Sequence, residues 1–299
     1  MEPKVQRWVQ RQGWDRASAF YDAHWRDQLR PAHVELLARA ELQPGDAVLD
    51  VACGTGMVTF PAAAQVAPSG RVVGVDISPG MIEAARAVAC ERGVTNTDFV
   101  CCGAEELDVA PPLDVGLCSL GLMYMPRPGV AMAEMHRVLR PGGRAVVSVW
   151  GQRSACGWAE IFPIVDARVA SDVCPMFFGL GAPGALAAAM TQAGFTDVDT
   201  TLLDVELVYA DDDDAVGAAF LGGPVALAHS RFDEQTRRRA YAEYLDSLRD
   251  FRSGPGYRVP GQFVVASARR PPARSRPDLD LSTHTPNQQQ QLQQGRAKT

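Results

Sequence analysis

Two short apolar runs, each closed by a carboxylate, constrain this chain most. Val48-Leu49-Asp50-Val51 leads into Ala52-Cys53-Gly54-Thr55-Gly56, a turn of small residues. Val72-Val73-Gly74-Val75 ends at Asp76. Short apolar runs bounded by turn residues read as strands buried on both faces, as in parallel sheets. Such a sheet binds ligands beyond the carboxyl ends of its strands, where the chain turns into a helix. Gly54 and Gly56 let backbone approach a ligand closely there. Asp76 follows Gly56 by 20 residues. That is the spacing of an acid that accepts from both hydroxyls of a ribose.

The strand and helix signals then alternate. Strands are expected near 47–51, 71–75, 97–101, 114–119 and 144–150. Helices are expected near 56–66, 79–92 and 129–139. Ser78 suits an N-cap and Pro79 the first helical position. The aromatic-rich stretch 14–30 and residues 32–40 look like two helices, with Pro31 starting the second. This alternation predicts an α/β fold with a doubly wound, mostly parallel sheet. Past Trp150 the pattern loosens. Helices are expected near 157–170, 183–193, 212–221 and 232–250, and strands near 198–208 and 262–268.

Asp50 separates two ligand classes. A dinucleotide rests its pyrophosphate on the glycine turn. Two like charges ~4 Å apart cost roughly 4 kcal/mol at an effective dielectric of 20, so Asp50 would repel that group. S-adenosylmethionine has no phosphate and carries an ammonium and a sulfonium, which the same carboxylate attracts. Thr59 also stands where the dinucleotide fingerprint has its third glycine. A second role open to Asp50 is to cap the strand end by accepting from backbone N–H groups.

Four segments, Val48 to Gly56, Val72 to Met81, Ala104 to Leu107 and Arg137 to Gly143, together resemble the class I S-adenosylmethionine-dependent methyltransferases. The nearest pattern is the small-molecule branch that includes ubiquinone and menaquinone biosynthesis. The resemblance implies a Rossmann-like, seven-stranded sheet with a helical substrate cover. It implies a helical N-terminal lid at 1–30, a cofactor-binding core at 31–150, and a cover with the final strands at 151–268. Residues 269–299, with their prolines, arginines and glutamine run, read as a disordered tail.

The resemblance also carries S-adenosyl-L-methionine as cofactor and assigns its contacts. Asp50, Ala52, Gly54, Gly56 and Asp76 come from the first two segments. Ile77 would pack on the adenine or be strand-end core. Gly103, Ala104 and Glu105 match the adenine-binding turn, although the family usually has Asp or Asn at the place of Gly103. Backbone groups or Glu105 replace that contact, and Glu105 is otherwise a surface acid. Thr59 touches cofactor or bonds a backbone carbonyl. Ser119 ends strand four beside the transfer centre or caps the next loop. Tyr21, His24, Trp25 and Tyr124 are the candidates for contact with substrate, and Tyr21, His24 and Tyr124 are the weak catalytic candidates. Methyl transfer to a small, partly apolar acceptor by in-line displacement needs no dedicated catalytic group unless the acceptor is a weakly acidic hydroxyl.

Composition narrows the partners. Net charge is −6, with no Lys/Arg-dense stripe before residue 268, which disfavours nucleic acid. Seven cysteines with no C-x-x-C spacing read as reduced thiols in a cytoplasmic protein. No run reaches the ~18 apolar residues of a membrane span, so none is expected. The acids Asp211 to Asp214 suit a helix N-terminus better than a metal, and no metal site is expected. Two other functions compete: a nicotinamide-dependent oxidoreductase, and a non-catalytic module that kept the cofactor pocket.

Overall fold

The structure, a computed structural model, describes residues 2–169 and 177–273. A 38-residue helix, α1 (Pro3–Ala40), opens the chain. The core follows as β1 (Ala47–Val51), α2 (Thr59–Val66), β2 (Arg71–Asp76), α3 (Pro79–Arg92), β3 (Thr97–Cys101), β4 (Leu113–Ser119), α4 (Pro128–Val138) and β5 (Leu139–Trp150). Beyond it come α5 (Ile161–Asp166), α6 (Ala185–Gln192) and β6 (Thr196–Tyr209). Then follow α7 (Asp212–Phe220), α8 (Ala226–His229), α9 (Glu234–Ser247), the two-residue β7 (Arg252–Ser253) and β8 (Gly256–Arg269).

Seven strands lie in the order β3-β2-β1-β4-β5-β8-β6, and β7 pairs only with β8. Strands β1 to β5 are parallel, and β8 runs antiparallel between β5 and β6. Chain order reverses between β1 and β4. A crevice opens beyond the strand ends at such a switch point. The residues there are those after Val51 and after Ser119.

Local chemistry accounts for the elements. β1 and β4 are apolar and almost wholly buried, as central parallel strands must be. Ser78 caps α3 by accepting from the Met81 N–H at 3.1 Å. Asp211 caps α7 by accepting from the Asp214 N–H, so the acidic run serves the helix start. Helices α7 to α9 sit between the two strands of the β6/β8 hairpin.

Three sequence expectations change. The expected break at Pro31 is absent, and α1 runs through it as one helix. Ala32, Leu36 and Ala40 beyond the proline are fully buried, so packing holds the turn that a proline in isolation would weaken. Residues 157–160 form a 3-10 turn before the short α5 instead of one long helix. Arg269 closes β8; beyond it the Arg270 N–H donates to the Gly143 carbonyl and the Arg270 carbonyl accepts from the Gly142 N–H, in the RPGG segment, which the structure places inside β5. Residues 274–299, the rest of the expected tail, lie outside the described residues, as does Cys174.

The two halves of α1 dock differently. Its second half packs Trp25, Leu29, Ala32 and Leu36 into the core. Gln28 fastens that half to β6 by exchanging bonds with the Val208 backbone. Replacing the fully buried Leu36 by alanine is expected to lower the unfolding free energy by about 2–5 kcal/mol. Val34→Ala on the same helix, at a side chain 59% exposed, should change it by less than about 0.5 kcal/mol. Urea titration of both variants checks this, and equal effects would contradict the docking.

Candidate active site

A cleft lies beyond the carboxyl ends of β1, β2 and β4, with α1 across its mouth. It encloses ≈ 810 Å³ of empty space, open solvent included. Asp76, at the end of β2, is at its floor and 8% exposed. Its Oδ2 accepts from the Gly54 N–H and its Oδ1 from the Ser78 N–H, both at 2.9 Å. One carboxylate therefore joins the glycine turn, β2 and the start of α3. Each oxygen keeps a second lone-pair direction for another donor.

The glycine turn has specific steric needs. Gly54 and Gly56 both have positive φ, and a Cβ on Gly56 would collide with the Phe60 ring. Across the switch point, Ala52 and Leu120 both stand at φ 56, a conformation uncommon for residues with a side chain. Gly121 makes room for Ala52, because a Cβ there would stand 2.5 Å from that of Ala52.

Asp50 sits behind this wall. It is 1% exposed, does not line the cleft, and accepts from the Thr59 hydroxyl at 2.6 Å. Thr59 is fully buried, and its hydroxyl goes to this carboxylate. Burial, then the charge of Asp76, pushes the Asp50 carboxyl up to about 7 despite the Thr59 bond. Burial likewise pushes Asp76 up to about 6, with the charge of Asp15 adding to it. The charge of one desolvated carboxylate thus bears on the other.

Arginine and acid residues of α1 tie it to the loops after β1, β2 and β3. Asp15 Oδ1 accepts from the Ser78 hydroxyl at 2.6 Å and from the Gly80 N–H at 3.1 Å. Asp22 accepts from the Thr55 hydroxyl. Arg7 pairs with Glu105, whose carboxylate also takes the Arg127 N–H at 2.8 Å and its guanidinium at 3.0 Å. Among the described residues lining the cleft, Arg7 is the one cation, and Glu105 occupies it. This cleft offers no free positive charge to a pyrophosphate.

Of the expected cofactor residues, Ala52, Gly54, Asp76, Ile77, Gly103, Ala104, Glu105 and Ser119 line the cleft, while Asp50, Gly56 and Thr59 stand behind it. Ser119 Oγ bonds Ser148 Oγ on β5 at 2.9 Å. Tyr21 and Tyr124 line the cleft, linked through Trp14 at ring distances of 5.7 and 5.0 Å. His24 does not line it and pairs instead with Asp214 of α7 at 3.3 Å. Burial, then Asp22 and Asp76, pushes the Tyr21 phenol far up, so it stays protonated as a donor. Arg7, Gln10, Trp14 and the two tethering acids were not singled out from the sequence. Arg7, Gln10, Trp14, Tyr21 and Trp25 recur at spacings of 3, 4, 7 and 4, a single helical face. That stripe was the available signal.

A methyltransferase-domain family model matches residues 48–143. Over 248 residues the chain is 34% identical to nocamycin O-methyltransferase of Saccharothrix syringae, covering 77% of this chain and 87% of that protein. It is 38% identical over 120 residues to demethylmenaquinone methyltransferase of Symbiobacterium thermophilum, covering 38% of this chain and 46% of that one. The chain therefore spans about half the length of this menaquinone relative. Its fold is similar to that of the YcgJ protein of Bacillus subtilis, with a TM-score of 0.57 at 16% identity, covering 82% of this chain and all of that one.

The raised carboxylates give a pH signature. Their folded values exceed the unfolded value of 3.8, so the folded state binds more protons between about pH 4 and 7. Stability from these groups is present at low pH and is lost as pH rises through that window. Asp50→Asn removes one titration and keeps an acceptor for Thr59. The stability of this variant relative to the parent should grow from pH 4 to 7 and then level off, as read by urea midpoints. A pH-independent difference would contradict the burial of a shifted carboxyl.

Proposed function

The chain belongs to the S-adenosylmethionine-dependent methyltransferases, and from that membership we propose that it methylates a small, partly apolar molecule by in-line displacement. The observation that carries this reading is the buried Asp76 at the cleft floor, backed by Asp50 and without a free cation nearby. When bound, S-adenosylmethionine supplies a methyl group already activated on a sulfonium.

The chain's own residues bind, orient and exclude water. Asp76 accepts from the ribose hydroxyls through its remaining lone pairs. Ile77, Met81 and Ala104 offer apolar surface to a flat base. Gly103 has open space where the family usually carries a polar side chain, so backbone groups serve the adenine edge. The joint charge of Asp50 and Asp76 favours a cation, and α1 closes the mouth through its three ties.

Among the described residues lining the cleft the carboxylates are Asp76 and Glu105, and both are committed. Tyr21 is held protonated, and His24 stays with Asp214. Rate enhancement then comes from holding the acceptor in line, which supplies ~7–11 kcal/mol in favourable cases. An oxygen acceptor, as the name of the Saccharothrix relative suggests, would have to ionise readily on its own.

Titration calorimetry with S-adenosylmethionine tests the reading. Asp76→Ala, verified as folded by circular dichroism, should weaken binding at least about tenfold, roughly 1.4 kcal/mol. A bound cation lowers the values of both acids, so binding to the parent protein should release protons near pH 6 to 7. Repeating the titration in buffers of different ionisation enthalpy reads that release. Unchanged affinity in the variant, or proton uptake in the parent, would contradict the proposal.

A further inference from the structure

The strand order puts the loop after β3 on one side of Asp76 and the residues after β4 on the other. On the β3 side, Trp8 and Arg11 of α1 and Glu106 line a surface groove. Arg7, Ile77, Gly103 and Glu105 line both this groove and the cleft, so they form the boundary between them. The groove offers ≈ 270 Å³. A cavity of roughly 150 Å³ already takes a benzene ring.

The boundary has a gap. At Gly103 the chain carries no side chain, and a Cβ built there would meet nothing within 4 Å. The acid at the boundary, Glu105, is held by Arg7 and by the Arg127 N–H and guanidinium. Beyond the gap, Trp8 is 54% exposed, with Arg11 one turn further along α1. Two arginines and two glutamates line the groove, so their charges balance and favour a neutral group over an ion.

The geometry points to a cofactor cleft that is open at its base end and accepts an adenosyl ligand extended by an aromatic group on the base amino nitrogen. This rests on the methyltransferase reading above and adds a ligand class to the same site. A ribose on Asp76, with its base along Ile77 and Ala104, directs the base toward the loop after β3. The amino group is on the ring far from the glycosidic bond, so it is the part of the base that comes nearest Gly103. A substituent on it leaves the cleft at the boundary position that has no side chain. In the groove an aromatic ring gains an offset or edge contact with the Trp8 indole. Arg11 adds a cation over its face.

Calorimetry on the full chain tests this with S-adenosylhomocysteine and its derivatives carrying methyl or benzyl on the base amino nitrogen. The methyl derivative should bind within about twofold of the unsubstituted ligand, because the amino group faces open space. The benzyl derivative should bind at least about fivefold more tightly than the methyl one, the scale of one aromatic pair. Trp8→Ala should shrink that ratio to less than about twofold and leave the affinity for S-adenosylhomocysteine unchanged. Trp8→Phe should restore most of the ratio. A loss of roughly tenfold or more on methylation, a benzyl derivative no tighter than the methyl one, or a ratio that survives Trp8→Ala would overturn the inference while leaving the methyltransferase reading in place. Absence of binding by all three ligands would undo that reading and the inference with it.

Discussion

A carboxylate sealed at the end of β2 organises the cleft. Asp76 holds the Gly54 and Ser78 N–H groups, so the glycine turn, β2 and the first turn of α3 share one acceptor. The arrangement is electrostatically costly, because Asp76 and Asp50 are both desolvated and repel each other. The hydrogen bonds offset part of that cost. A cationic ligand would offset more of it. The same two acids that make the site poor for phosphate make it receptive to a sulfonium and an ammonium.

Helix α1 turns this strand-end geometry into a closed site. Its second half is held by apolar burial and by the Gln28 clasp to β6. Its first half is held by polar ties from Arg7, Asp15 and Asp22 to three of the loops that line the cleft, those after β3, β2 and β1. Trp14 and Tyr21 then bring aromatic surface over the site.

The core strands and the cleft floor were legible because their signals are local. A buried run, a glycine turn and a strand-end acid lie within a few residues of one another, and β1, β3 and the capped α3 fall where the pattern places them. The glycine turn needed tertiary knowledge only for its collision partner, Phe60. Less could be read where function depends on distant pairing. Asp50 reads as a cofactor contact in sequence, but its placement behind the wall depends on Thr59 and on how α2 packs. His24 reads as a base, yet its partner is Asp214, 190 residues away. The continuous α1 was hidden by Pro31, a local signal that tertiary packing overrides. Arg7 and Gln10 were missed because the helix was begun at residue 14, and Asp15 and Asp22 because their partners Ser78, Gly80 and Thr55 are distant in sequence.

The most direct measurement is a crystal structure of the full chain with S-adenosylhomocysteine. The account predicts the ribose hydroxyls on the Asp76 carboxylate, the adenine beside Ile77 and Ala104, and the homocysteine sulfur facing the wall formed by Tyr21, Leu120 and Tyr124. A ribose bound away from Asp76, or a nucleoside lodged outside the cleft, would contradict it.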